Sequence, residues 1–268
     1  MLEIARQIVR HRGLLKTLVG RELKARYRGS LLGFFWSLVN PALLVLVYSL
    51  VFGLILRPRL GAPGTEPYAL FLISGLFPWI WFSTSLLEAT GSLAAGAGLL
   101  RKAVFPAPLL PMVPVLANLV HFALALPVVA AALAVGGALG YRVGGWTTLL
   151  LPVIVLLELP LVAGLALGLA ALSVHFKDVR DLLGNVLTLL FFLTPILYPL
   201  AAVTYEWLWW VVRVNPVTPF TLAYQEVLFH RTVPDGPLWL QMSAVALLAW
   251  AAGTWIFTRL EDTLVEAV

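Results

Sequence analysis

The chain has 268 residues, of which 61% are hydrophobic and 12% charged, and it carries a formal net charge of +5. Because a soluble domain has roughly 25% charged residues, this composition excludes an ordinary soluble protein and predicts an integral membrane protein with one domain, residues 1–268. The lack of cysteine excludes disulfides, thiolate nucleophiles and cysteine-ligated metal sites.

The first 30 residues hold a large share of the positive charge, since eight of the 18 lysines and arginines lie there. Cations beside a first membrane span orient its insertion and meet anionic headgroups, so we expect a membrane surface, and no nucleic acid, as their partner. Four apolar residues recur at helical spacing near one face: Ile4, Ile8, Leu15 and Leu18. This pattern predicts a cytoplasmic amphipathic helix along the inner leaflet, broken or bent at Gly13.

Six apolar runs are long enough to cross a membrane, because about 20 helical residues span its hydrocarbon layer. They are residues 31–56, 68–87, 109–139, 147–174, 182–200 and 238–257. With the N-terminus inside, the inner segments hold 13 cations and the outer segments hold five. The positive-inside rule therefore predicts both termini in the cytoplasm, a six-span all-α core over residues 31–257 and a cytoplasmic tail over 258–268.

The connection between the second and third runs, residues 91–108, is rich in glycine and alanine and ends in the letters FPAP. It carries the adjacent cations Arg101 and Lys102. Because proline cannot continue a helix, this pattern predicts a short cytoplasmic helix that ends at the proline.

The connection between the fifth and sixth runs, residues 201–237, is too long for a hairpin loop. It contains Trp207, Trp209 and Trp210, and tryptophan prefers the headgroup zone. We therefore expect short helices that lie at the outer interface or dip into it.

The sequence lacks the motif by which a chain binds nucleotide itself. A phosphate-binding loop needs a lysine directly after a glycine, and none of the four lysines follows one. If ATP drives this protein, the ATPase that binds ATP and magnesium is another chain, and we expect neither a cofactor nor a metal here. Asp178 and Asp181 form a D-x-x-D pair that either holds magnesium against a diphosphate, as in a membrane enzyme, or belongs to a solvated inner loop.

Two acidic residues fall within the apolar runs. Glu158 lies near the middle of the fourth run, where an unpaired charge costs roughly 3 kcal/mol. It either serves a transport pathway or makes a structural hydrogen bond, for example to His121 on the third run. Glu88 lies toward the inner end of the second run, and we expect it to reach the interface.

Aromatic residues are the remaining candidates for substrate contact. Tyr48 and Phe52 share a face of the first run, and Phe191, Phe192 and Tyr198 lie in the fifth. Because sugar rings stack their apolar C–H faces on aromatic rings, these side chains can line a channel for a glycan. Ordinary helix packing explains the same residues equally simply.

Six separated segments together resemble one family, the membrane subunits of ABC exporters for lipid-linked polysaccharides, of the Wzm kind for O-antigen and the TagG kind for teichoic acid. The segments occur in family order across nearly the whole chain. They are RELKARYRGSLLGFFWSLVNP at 21–41, GLFPWIWFS at 75–83, LLRKAVFPAPLLP at 99–111, FKDVRDL at 176–182, LTPILYP at 193–199 and NPVTPFTLAYQEVLF at 215–229.

The resemblance implies a homodimer of six-span subunits with two copies of a cytoplasmic ATPase. The residues that match the ATPase-contacting segments are Arg21, Glu22, Arg26, Tyr27 and Arg28 in the interface helix, and Arg101, Lys102, Phe105 and Pro106 in the coupling loop. The outer stretch with Trp207, Trp209 and Trp210 resembles re-entrant gate helices. One departure is Gln225-Glu226, where many relatives of this kind are expected to have a basic pair.

The resemblance therefore implies a multi-pass permease of the cytoplasmic membrane that exports a lipid-linked glycan and catalyses no covalent chemistry itself. A drug or lipid exporter, a membrane enzyme acting on polyprenyl diphosphates and a non-transporting scaffold are the alternatives.

Overall fold

The computed structural model describes residues 2–30, 32–51, 65–100 and 105–267, and all regular structure in those ranges is helical. The all-helical class is therefore confirmed for this part of the chain. The principal helices are α1 (Leu2–Arg10), α2 (Arg12–Tyr27), α3 (Trp36–Leu50), α4 (Tyr68–Thr90), α5 (Leu109–Ala138), α6 (Leu151–His175), α7 (Val179–Leu193), α8 (Glu206–Val214), α9 (Thr218–Gln225) and α10 (Gly236–Ala267).

The N-terminal segment consists of two helices rather than one. The break lies at His11, so the predicted break at Gly13 is wrong, and Gly13 is an internal residue of α2. The apolar face is buried at Ile4 on α1 and at Leu15 and Leu18 on α2, and α2 packs against α5. Part of the face that was expected to meet lipid is therefore covered by protein.

Four helices of the described residues are long and apolar enough to cross a membrane: Tyr68–Thr90, Leu109–Ala138, Trp146–His175 and Gly236–Glu261. They overlap the second, third, fourth and sixth predicted runs. Helix α3 lies in the first run, whose remainder falls largely outside the described residues. The six-span count remains a prediction.

The fifth run differs from its prediction. Helix α7 begins at Val179 and ends at Leu193, and its 15 residues extend about 22 Å, less than the hydrocarbon thickness. Thr194 is extended, with ψ of 135°, as expected for a residue that precedes a proline. The helix therefore stops before Pro195, and the chain continues to Pro199 in irregular form.

Helix α4 is the centre of the bundle. In the most apolar 18-residue stretch of α4, 78% of the residues are buried, whereas in the corresponding stretches of α5 and α10 the share is 28%. The reason is that α4 contacts five other helices: α3, α5, α6, α7 and α9. The outer faces of α5 and α10 are correspondingly apolar and exposed, as in helices that face lipid. The core of the molecule is therefore arranged around α4.

Helices α6 and α10 make the closest helix contact of the described chain, through glycine. A Cβ atom added to Gly164 would lie 2.5 Å from the Trp250 Cα, and one added to Gly253 would lie 3.0 Å from the Gly164 Cα. Small residues allow such approach of two backbones in membrane proteins. The two helices thus form one tightly packed pair.

We expect Gly253→Ala to lower the stability of the protein, although alanine favours a helix by roughly 0.5–1 kcal/mol over glycine. The added methyl group has to separate two backbones, and overpacking costs about 1–3 kcal/mol. The midpoint of thermal unfolding in detergent, followed by tryptophan fluorescence, measures the effect. Gly137→Ala in α5 is the matched control, because no atom lies within 4 Å of its Cβ position. A Gly253→Ala midpoint at or above that of the parent protein would contradict the packing argument.

Candidate functional site

A polar network joins the end of α2 to the C-terminal part of α4 and the first half of α5. The Arg26 guanidinium forms an ion pair with Glu88 and donates a hydrogen bond of 2.9 Å to Asn118 Oδ1. Asn118 Nδ2 in turn donates to the same Glu88 carboxylate at 2.8 Å, and Arg26 Nε donates to Glu22 at 3.4 Å. Each charged group thus has an opposite charge or an amide beside it, as burial of charge requires. We call these four residues the Arg26 network.

A second pair lies beside this network. The Tyr27 hydroxyl and His121 Nε2 are 2.7 Å apart, and their rings meet edge to face.

Glu158 is 1% exposed and accepts a hydrogen bond of 2.7 Å from the Tyr224 hydroxyl. The suggested bond between Glu158 and His121 is therefore wrong, and of the two alternatives for Glu158 the structure shows the structural hydrogen bond, with Tyr224 as the partner.

The Arg26 network separates two cavities. One, of about 280 Å³, lies between α3, α4 and α5 and has the aromatic walls Trp36, Phe77, Trp81 and Phe122. The other is a groove of about 630 Å³ between α2, the inner end of α4 and the start of α5. Arg26 and Glu88 line both cavities. Their ion pair is therefore part of the wall between the groove and the aromatic cavity.

The groove is richer in positive than in negative charge. Arg21, Arg26 and Arg180 line it, against the carboxylates Glu22 and Glu88. A groove with such a balance favours an anionic group, and arginine is well suited to phosphate.

The residues expected to contact an ATPase divide into two groups. Arg21 is exposed on α2 and Arg28 is exposed just after its end, whereas Glu22, Arg26 and Tyr27 are half-buried. Arg26 and Tyr27 point at α4 and α5. The role of all five in ATPase contact remains a prediction.

The coupling loop begins, after Gly91, with two single helical turns, Ser92–Ala95 and Ala97–Leu100, instead of one short helix. Arg101 and Lys102 lie outside the described residues. Phe105 and Pro106 line a cavity of about 450 Å³ together with residues of α1 and the inner part of α10. The other lining residues are Glu3, Arg6, Gln7, Arg10, His11 and Glu261. We call this surface the inner socket.

Three of the predicted channel aromatics lie near one another at the end of α7. Phe191 packs against Phe192, with ring centroids 5.4 Å apart, and against Trp79 of α4. The Tyr198 hydroxyl donates to the Phe192 carbonyl at 3.0 Å. Tyr48 is half-buried against the core on α3, and Phe52 lies outside the described residues.

The outer connection contains the short helices α8 and α9. Trp207 and Trp210 are largely exposed on α8, and the Arg213 guanidinium lies 4.6 Å from the ring centroid of Trp209. Exposed indoles beside an arginine are typical of a helix that anchors in the headgroup zone. The gate function of the three tryptophans remains a prediction.

Helix α9 is almost entirely buried and is tied to its neighbours by side-chain hydrogen bonds. Tyr224 donates to Glu158 on α6, and Gln225 Nε2 donates to the Pro195 carbonyl at 2.7 Å. Asn215, before α9, donates to the Thr194 hydroxyl at 2.8 Å. The sequence did not predict these contacts, although a buried glutamate in a hydrocarbon run is a signal that a hydroxyl or amide partner exists.

The D-x-x-D pair lies at the beginning of α7, where both Asp178 and Asp181 are exposed. Among the described residues no group of three or more histidine, aspartate or glutamate side chains is arranged to hold a metal ion.

Comparison with known proteins identifies the family. The family model described as ABC-2 type transporter matches residues 13–229. The chain is 39% identical to the O-antigen export system permease protein RfbA of Myxococcus xanthus, over 98% of both chains. It is 31% identical to an RfbA of the same description from Klebsiella pneumoniae, over 81% of this chain and 80% of that one.

A more distant relative extends the same similarity. The polysialic acid transport protein KpsM of Escherichia coli is 21% identical over 94% of this chain and 95% of its own length. These matches cover the Arg26 network, the coupling loop and the outer connection. The chain belongs to the ABC-2 type transporter family.

Proposed function

We propose that this chain is the membrane subunit of an ATP-driven exporter that moves a lipid-linked polysaccharide outward across the cytoplasmic membrane. The observation that carries the proposal is the 39% identity, over nearly the whole chain, to a permease named for O-antigen export. The ordered motifs of the sequence support the same class of cargo. They also argue against an exporter of drugs or other lipids.

The proposed assembly is a homodimer with two copies of a separate ATPase, which binds ATP and magnesium. Each subunit crosses the membrane six times, with α3 and α7 belonging to the first and fifth spans and both termini in the cytoplasm. The exposed apolar residues on α3 and α7 support a membrane location for both helices. The single domain, residues 1–268, then consists of the interface segment, the span core and the short tail.

The ATPase is proposed to dock at the inner socket. Phe105 and Pro106 lie there beside α1, so one contact on this surface reaches both the coupling loop and the N-terminal segment. Since α5 starts at Leu109, only three residues after Pro106, a displacement at the socket acts directly on α5.

The cargo is proposed to enter through the arginine-lined groove. Its diphosphate meets Arg21 and Arg180 first, and the Arg26 network closes the way to the aromatic cavity until the helices move. The ion pair acts as an inner seal because breaking it exposes two charges, which is unfavourable unless an anion replaces the carboxylate.

Deletion of this chain should abolish delivery of the glycan to the cell surface and cause lipid-linked glycan to accumulate inside. Quantitative surface labelling and extraction of the lipid-linked pool measure both effects. The variant Asp178→Asn/Asp181→Asn separates the permease from a membrane enzyme that depends on these two residues. If the chain were such an enzyme, the variant would lose delivery of the glycan. If the chain is a permease, delivery by the variant should stay within about twofold of normal. Surface glycan that persists after deletion would refute the export function.

Arg10→Glu with Phe105→Ala should reduce the amount of ATPase that co-purifies in mild detergent about fivefold or more, because the pair alters both sides of the inner socket. The ratio of the two subunits on a quantified gel measures the effect. Arg142→Glu is the matched control, since it reverses an exposed charge in the connection between α5 and α6, which the proposal places outside. Equal retention in the socket variant and the control would remove the socket from the docking surface.

Arg26→Ala should lower the free energy of unfolding by about 1–3 kcal/mol, because Glu88 and Asn118 lose a charged hydrogen-bond partner. Denaturant titration in detergent measures this loss. Arg6→Ala is the control, since Arg6 forms an exposed pair with Glu3 at 3.8 Å, worth about 1 kcal/mol or less. Addition of Glu88→Gln to Arg26→Ala should recover part of the loss, because the Glu88 charge is then removed and only Glu22, which is half-exposed, lacks its cation. Equal losses in Arg26→Ala and Arg6→Ala would show that the network contributes no more than a surface pair.

A further inference from the structure

A cavity of about 260 Å³ lies between α4, the irregular stretch after α7 and the end of α9. It is distinct from the two cavities at the Arg26 network, and it falls on the side that the proposed topology places outside. Its volume is close to the lower limit of about 300 Å³ for small-molecule sites, so it suits a single ring.

The polar side of this cavity is formed by a π-helical turn, Glu226–His230. Such turns are rare and occur often at functional sites. The turn places Glu226 and His230 on the same cavity, and among the described residues neither side chain has a hydrogen-bond partner. In contrast, the neighbouring Gln225 donates a hydrogen bond from its side-chain amide to the Pro195 carbonyl. Two polar groups are therefore free to bind a ligand.

The opposite side of the cavity is apolar. Pro199, Leu200 and Leu222 form it, and the fully buried Phe71 closes the floor. A pyranose has the matching character, since one edge carries hydroxyl groups and its faces carry C–H groups that pack on apolar surfaces.

The charges around the cavity select against an anion. Burial, together with the nearby Asp235 carboxylate, raises the pKa of Glu226, and burial lowers the pKa of His230. Both shifts are toward the neutral forms, and the carboxyl groups of Glu226 and Asp235 disfavour a carboxylate or phosphate on a ligand. The cavity wall contains no lysine or arginine among the described residues.

We propose that this cavity is a subsite for one uncharged pyranose unit of the exported glycan, held by hydrogen bonds to Glu226 and His230 and by contact with the apolar wall. The source of the sugar rests on the proposed function, whereas binding itself does not.

Saturation-transfer NMR on the chain assembled with its ATPase in nanodiscs tests binding directly. Methyl mannopyranoside and N-acetylglucosamine are the neutral probes, and glucuronate is the charged one. We expect the neutral probes to bind and the variant Glu226→Ala/His230→Ala to bind them at least about tenfold more weakly, because two hydrogen bonds are lost. Glu206→Ala, which removes an exposed carboxylate on α8, should bind like the parent protein. Equal binding by the double variant, or binding of glucuronate as strong as that of the neutral probes, would overturn the proposal.

The same double variant in cells separates this inference from the proposed function. We expect it to slow surface delivery of the glycan several-fold while its ATPase retention and its melting temperature stay at parent values. Normal delivery by the double variant, in a strain where deletion abolishes delivery, overturns the subsite alone. Normal delivery after deletion overturns the proposed function instead, and the NMR result then still decides whether the cavity binds a sugar.

Discussion

The absence of water in the hydrocarbon layer is the constraint on which this structure depends, because every charge and every irregular piece of backbone there needs a partner within the protein. Glu158 meets this requirement through Tyr224, and the Pro195 carbonyl, left without a helical donor, meets it through Gln225. Both partners belong to α9. One short buried helix thus satisfies the polar groups that Glu158 in α6 and Pro195 after α7 leave without a helical partner.

The same constraint determines which contacts between helices are rigid and which can rearrange. Helices α6 and α10 meet backbone to backbone at Gly164 and Gly253, so at these two positions no side chain separates the helices. The contact of α2 with α4 and α5 has a different basis, since the ion pair of Arg26 with Glu88 is partly exposed to the groove. A charged group that already borders an anion-attracting groove can exchange one anionic partner for another at low cost. Motion is therefore more favourable at α2 than between α6 and α10.

The sequence predicted the features that arise from composition and periodicity, and missed those that arise from contacts between distant residues. The runs that became α4, α5, α6 and α10 were visible because uninterrupted apolar length is a strong signal. Pro195 is a signal that α7 ends early, but the apolar residues on both sides of this proline extended the predicted run to Leu200. The sequence could not predict the partners of Arg26 and Glu158. Glu88 lies 62 positions from Arg26, and Tyr224 lies 66 positions from Glu158, so only the packing of helices brings each pair together.

The two ends of the chain's proposed path differ in chemistry, and this difference gives transport a direction. At the inner groove arginines outnumber carboxylates, so the proposed diphosphate is favoured there, whereas the proposed outer cavity is lined by Glu226 and His230 and by no lysine or arginine among the described residues. An amphipathic cargo with a charged head and an uncharged glycan therefore meets attraction for its head at one side and for its sugars at the other. Under the proposed function the two sites favour one orientation of the cargo, and the proposed role of an ATPase at the inner socket is to open the seal that Arg26 and Glu88 form between them.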